Sequence, residues 1–307
     1  TYYDYSDGSY KNGVKNGTWM VYVDDNKVRQ KVYSDNVKNG QWTWWNSEGV
    51  KTKEGNYVSN LKSGLWSVWY ENGNKSLESS YKDGIRDGQW TWWGTDGVMD
   101  SSGTFSEEKK DSVWTYFYDN GEKERLETYN KDIKDGLWVE WTMDKQKRVE
   151  YSYKNNEYDG VYQLWFENGN QMEKRTYQDG VQNGEWTFWD ENGQKKWERI
   201  YKNGEPWNGE WTSWDENGQK SSKRTYIDGE LVDELTFVFD YYENGQKKLE
   251  GTLKDGISDG LWTSWFENGQ KESEGTWKDG KEDGLWTSWY ENGQKSSKRT
   301  YIDGELV

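Results

Sequence analysis

An aromatic position that returns every 24 residues governs almost the whole chain, and few folds tolerate so short a metre. It is held by Tyr33, Tyr57, Tyr81, Phe105, Tyr129, Tyr153, Tyr177 and Tyr201. The step before Tyr33, from Tyr10, is 23 residues; steps of 25 and 27 lead to Tyr226 and Leu253, and then 24 again to Trp277 and Tyr301. A second slot holds Trp19, Trp42, Trp66, Trp90, Trp114, Trp138, Tyr162, Trp186, Trp211, Val238, Trp262 and Trp286. A third lies three residues further on, from Tyr22 and Trp45 through Trp69 to Trp289, and the two slots absorb 19 of the 24 tryptophans. Two ordinary globular domains would fit 307 residues, but neither would keep such spacing.

Inside one period the signals are those of a β-hairpin. "LWSVWY" (Leu65–Tyr70) has the aromatic and β-branched content of a strand. "ENG" follows at Glu71, Asn72 and Gly73, and again from 167, 191, 216, 243, 267 and 291. Asn-Gly is the strongest short hairpin signal, and it predicts a type I′ turn with two positive φ angles. A second strand runs to the Tyr slot, and "KDG" or "KNG" closes it. A further glycine stands two residues before the Trp, as at Gly64, Gly88, Gly136, Gly184 and Gly284. It shares a strand face with that Trp, so the expectation is that it lets a ring of the neighbouring repeat lie on bare backbone.

One hairpin is marginal in water, so each must lean on the next. The sequence therefore predicts an all-β, elongated, solenoid-like ladder of about twelve antiparallel β-hairpins, forming a single continuous array over residues 1–307. The first unit is incomplete, because Gly8–Gly13 matches Gly275–Gly280, and irregular units fall near 104–121 and 230–245. Trp66, Trp69, Tyr81, Gly64, Asn72, Gly73, Trp286, Trp289 and Tyr301 are the expected structural residues.

Hydrophobic residues are only 31% and mean hydropathy is −1.33, values that suggest disorder, but aromatics reach 18%. Large rings supply the buried area that aliphatics do not, which implies a thin aromatic core. A net charge of −16 argues against nucleic acid and anionic membranes as partners. Without Cys or His there are no disulfides, thiolate metal sites or imidazole catalysis, and no apolar run is long enough to span a membrane. The chain begins at Thr1 rather than Met, as a processed product or a fragment would.

"GLWTSWFENGQKESEGTWKDGKEDG" (Gly260–Gly284) resembles the variant form of the MORN repeat found in bacterial proteins, and the resemblance extends over the chain. It rests on G-x-W-x-x-W-Y-E-N-G-Q-K and G-T-Y-K-D-G. The resemblance implies a stack of hairpins acting as an interaction or scaffolding module, with no catalytic residue and no cofactor; bacterial antitoxins and membrane-linked, dimerising eukaryotic proteins share it. Two units depart from it: "EEKKDSVWTYFYDNG" lacks the glycine before Trp114, and "ELVDELTFVFDYYENG" carries three extra residues and puts Val238 in a Trp slot. Close ring-on-backbone contact is in doubt in both. A weaker similarity is to choline- and glucan-binding repeats, which are shorter and lack the K-D-G-x-x-D-G linker.

Between the two Trp slots lies the position where repeats disagree most. It reads Val21, Trp44, Val68, Trp92, Tyr116, Glu140, Leu164 and Phe188, and then Ser213, Asp240, Ser264 and Ser288. The apolar members form a stripe that either meets a partner or belongs to the core. Strict recurrence of the Trp slots points to packing rather than sugar binding, and Asp83, Asp179, Asp255 and Asp279 to turn formation rather than Ca²⁺. No carboxylate pair stands out for catalysis. Trp197 and Trp207, off the regular slots, are expected to form a local cluster around Pro206.

The functional expectation is a non-catalytic scaffold binding a protein partner or copies of itself, as an extracellular or cell-surface filament component, with a cytoplasmic placement left open. A carbohydrate-binding surface module and an antitoxin-type inhibitor of a partner protein are the alternatives.

Overall fold

The computed structural model describes residues 4–307. They form 32 β-strands paired antiparallel, and no helix occurs among the described residues. The chain divides into two compact units, Thr1–Gly160 and Val161–Val307, each a run of hairpins.

One hairpin shows the plan. Strand Leu61–Trp69 pairs with Lys75–Lys82, setting Gly64 opposite Tyr81, Trp66 opposite Ser79 and Val68 opposite Leu77. The register then slips, so that Trp69 faces Lys75 and Ser76 has no opposite number. Because the extra residue lies on the second strand, the first alternates without a break: Trp66 and Val68 share one face and Trp69 takes the other. The same slip recurs at Trp44/Trp45, Glu140/Trp141, Phe188/Trp189, Ser264/Trp265 and Ser288/Trp289.

The two kinds of turn exchange the roles expected of them. In "ENG" only the glycine has a positive φ, 87° at Gly73, while the Gly73 amide donates to Tyr70 O (3.0 Å) and the Tyr70 amide to Asn74 O (2.8 Å). This is a type I turn closed by a left-handed glycine, the three-residue hairpin loop, and not type I′. Paired positive φ angles fall instead at the repeat junctions, 51° and 88° at Asp83-Gly84 and 50° and 70° at Ser59-Asn60. Asp83, Asp179, Asp255 and Asp279 all hold the first of these positions, with φ between 47° and 51°.

Gly64 also differs from expectation. Its φ is 68°, and nothing lies within 4 Å of where a Cβ would stand, so it receives no ring. Its use is conformational. Against the preceding strand, Asn56 pairs with Ser63 and Glu54 with Ser67, so three residues of the new strand span one of the old. The left-handed glycine makes that bulge. Rings do lie on bare backbone, but at a glycine of the previous repeat: Trp66 on Gly55, Trp114 on Gly103, Trp262 on Gly251 and Trp286 on Gly275.

The irregular units solve the bulge differently. Ser112, in the glycine's place before Trp114, itself adopts φ 59°, and Trp114 still covers Gly103. In the second case Glu230–Tyr241 is one strand of 12 residues with a single-residue slip at Val232, and Ser222 pairs with Thr236 instead of Asp240. Val238 then leaves no ring in the slot.

Candidate functional site

The first Trp slot builds a column of rings. Within the first unit Tyr33, Trp42, Tyr57, Trp66, Tyr81, Trp90, Phe105 and Trp114 follow one another at centroid distances of 4.9–6.3 Å, mostly edge to face. In the second, Tyr162, Tyr177, Trp186, Tyr201, Trp211 and Tyr226 follow one another at 4.8–6.5 Å, most of them tilted. Trp66, only 1% exposed, is the most buried large side chain. Each indole needs a hydrogen-bond acceptor once buried. From Trp42 onward the slot's tryptophans find one in the preceding repeat, whereas buried Trp19 does not: Trp66 Nε1 donates to Asn56 O (3.2 Å), Trp90 to Ser80 O (3.1 Å), Trp186 to Thr176 O (3.1 Å) and Trp286 to Thr276 O (3.2 Å).

Two further sets of bonds join repeats. At the junction turns the Asn60 amide donates to Lys38 O (3.0 Å) while Asn60 Oδ1 accepts from the Lys38 amide (2.9 Å). At the other end Asn72 Nδ2 donates to Thr95 O (2.7 Å) and the Tyr70 hydroxyl to Trp93 O (2.8 Å). Lysines cap the third slot, with Lys51 Nζ 5.4 Å from the Trp69 ring centre and Lys271 Nζ 5.9 Å from that of Trp289. Tyr301, opposite Gly284, is half-buried.

The stripe residues Val21, Trp44, Val68, Trp92, Tyr116, Leu164 and Phe188 are all half-buried and lie beside the column. Trp44 is 5.9 Å from both Trp42 and Trp66, and Trp92 sits 5.6 Å from Trp90 and 5.7 Å from Trp114. Tyr116 packs on the cluster of Trp90, Phe105 and Trp114. Where the stripe turns to serine, at Ser213, Ser264 and Ser288, the column tryptophans Trp211, Trp262 and Trp286 pass from buried to half-buried. The stripe thus covers the rings of the column.

The residue beneath each ring, two before the Tyr slot, is a signal the sequence reading missed. Glycine there admits the indole directly, whereas arginine supplies a cation: Arg175 is 4.8 Å from Trp186 and Arg199 5.1 Å from Trp211. Glu127 in that place is buried, with Arg125 Nε at 3.0 Å and the Tyr129 hydroxyl donating at 3.0 Å. Burial, and then the Glu127 charge, push the Tyr129 phenol far above the ordinary tyrosine value. Glu173 is likewise buried and bound by Arg175.

Trp197 and Trp207 do not form the expected cluster. Trp197 is stacked on Phe188 (5.7 Å, 9°), its partner across the hairpin, whereas Trp207 lies in the linker with Lys202 Nζ 3.9 Å from its ring centre. The clefts are open and lie along the turn edges, one at Trp165, Phe166, Met172 and Glu191 and another at Pro206, Trp207 and Glu230. No group of His, Cys, Asp and Glu able to hold a metal ion occurs among the described residues.

Comparison with known proteins agrees with this geometry. The family model described as MORN repeat variant matches residues 62–83, 182–204, 207–228, 258–279 and 282–303. No curated protein matches. Among solved structures, a chain of TcdB2-TccC3-Cdc42 is similar over 98% of this chain at 8% identity and a TM-score of 0.20, and one of TcdB2-TccC3 over 94% at 10% identity and 0.17. This chain spans 18% of the length of each, and at such TM-scores the likeness bears on neither fold nor function.

Proposed function

The chain is a tandem array of variant MORN repeats, and from that premise we propose that it is a non-catalytic scaffold holding protein partners, further copies of itself among them. One observation carries the reading. The repeats spend their rings on one another, yet six of the twelve leave an aliphatic side chain at the same exposed place, just before the Trp slot, where Thr18, Gln41, Gln89, Glu185 and Glu210 stand in others. Leu65, Val113 and Leu137 are among the six in the first unit and Leu261 and Leu285 in the second, each more than 40% exposed. Apolar groups presented at a fixed interval suit a partner that reads several repeats at once. The finer form of the proposal is a filament or fibre component at the cell surface.

Sedimentation velocity and negative-stain microscopy of the full chain test it. Oligomers or fibres are the expected result; monomers at every concentration would remove self-association. A carbohydrate-binding reading draws on the half-buried Trp262 and Trp286 beside Ser264 and Ser288. Protection of their indole protons by soluble oligosaccharides would support it.

A further inference from the structure

Trp207 is a tryptophan of the second unit that stands outside all three repeating positions. It belongs to the step of 25 residues, and its backbone stands where other repeats carry a small polar residue: the Trp207 amide donates to Ile200 O (3.0 Å) as the Asp135 amide does to Thr128 O (3.1 Å) and the Asn183 amide to Thr176 O (3.0 Å). The side chain is therefore set by a bond common to the fold, while the indole itself is an addition. It is half-buried and floors, with Pro206, a cleft of about 470 Å³ also lined by Lys202, Glu205, Asp228 and Glu230.

Three properties of the cleft name its occupant. Its indole face already attracts a cation, since the Lys202 ammonium lies 3.9 Å from the ring centre. Lys202 is exposed and flexible, so a better-fitting cation displaces it at little cost. Glu205, Asp228 and Glu230 are exposed at the rim, and none of them is in an ion pair with a described residue. The same fold shows internally what such a place accepts. At the corresponding edge of the first unit, the Arg86 guanidinium lies 4.1 Å over the Phe105 ring while its Nε meets Glu108 at 2.7 Å. A guanidinium is flat, stacks on an aromatic face and forks to carboxylates, which an ammonium cannot do.

We propose that the Trp207 cleft receives an arginine side chain from a basic segment of a partner protein, the guanidinium stacked on the indole and paired with the carboxylates of Glu205 and Glu230. The inference rests on the scaffold reading and gives it a partner chemistry.

The test is fluorescence anisotropy at physiological salt with a labelled Gly-Arg-Gly-Arg-Gly peptide and its lysine and citrulline counterparts, using the full chain. The arginine peptide should bind more tightly than the lysine one, and the citrulline one not at all. Trp207→Ala should weaken binding roughly fivefold or more, as should Glu205→Gln with Glu230→Gln. Glu267→Gln with Glu291→Gln removes the same charge at exposed E-N-G turns and should leave binding unchanged. Trp207→Leu, which keeps apolar bulk without the ring face, supplies a folded variant if alanine unfolds the repeat. Equal binding by wild type and the Trp207 variants, or equal loss from the two glutamate pairs, overturns the site. Assembly that survives while no peptide binds overturns the site and leaves the scaffold standing.

Discussion

The indole of Trp66 lies flat on Gly55 of the preceding repeat and fills the space that a Cβ there would require. The ring also donates to Asn56 O, so one tryptophan both covers and ties down the neighbouring strand. Gly55→Ala should therefore cost about 3 kcal/mol, as overpacking of a closed site does. Gly64→Ala, where nothing lies within 4 Å, meets only the left-handed φ of 68° and should cost about 1 kcal/mol. Urea denaturation of the two variants checks the order; equal losses would contradict the assignment of roles.

Ser112 occupies a left-handed conformation that its neighbours give to glycine. Ser112→Gly should stabilise the protein by about 1 kcal/mol, since the strain is removed and the side chain is exposed. A rise in the urea midpoint at unchanged slope is the expected signature.

Trp44 stands between the rings of Trp42 and Trp66. Trp44→Ser, which copies Ser264 and Ser288, should cost about 2 kcal/mol and speed hydrogen exchange at Trp66 Nε1, measured by NMR. Unchanged stability with loss of self-association would instead make the stripe an interface.

The Tyr129 phenol, raised by burial and by Glu127, keeps its proton at pH values where an unfolded tyrosine loses it. Its contribution to stability is complete below about pH 10 and declines as pH rises beyond that. Tyr129→Phe removes the hydroxyl that serves buried Glu127 and should cost about 1–2 kcal/mol at pH 7. The gap between wild type and variant should narrow from pH 9 to pH 11 in urea melts. A constant gap would show that Tyr129 titrates alike in both states.

The hairpins and the ring column were legible because period and residue type specify them together. What could not be read was anything set by register between repeats. Gly64, two residues before Trp66, was the expected seat for a ring of the neighbouring repeat; the glycine a ring covers is Gly55, eleven residues before Trp66, and only strand pairing reveals this. Asn72-Gly73 signalled a turn correctly but not its type, since both loop geometries want glycine at the left-handed place. Trp197 and Trp207, off the regular slots, looked like a local cluster around Pro206, yet one sits in the strand Lys195–Lys202 and the other beyond the junction turn.

From Trp42 onward the bond from the column indole runs towards the N-terminus: Trp66 to Asn56, Trp90 to Ser80, Trp286 to Thr276. Every acceptor is synthesised before its donor. A repeat leaving the ribosome thus meets a finished template, and the array can be completed in the order it is translated without waiting for its far end. An interrupted chain would keep whatever it had already built.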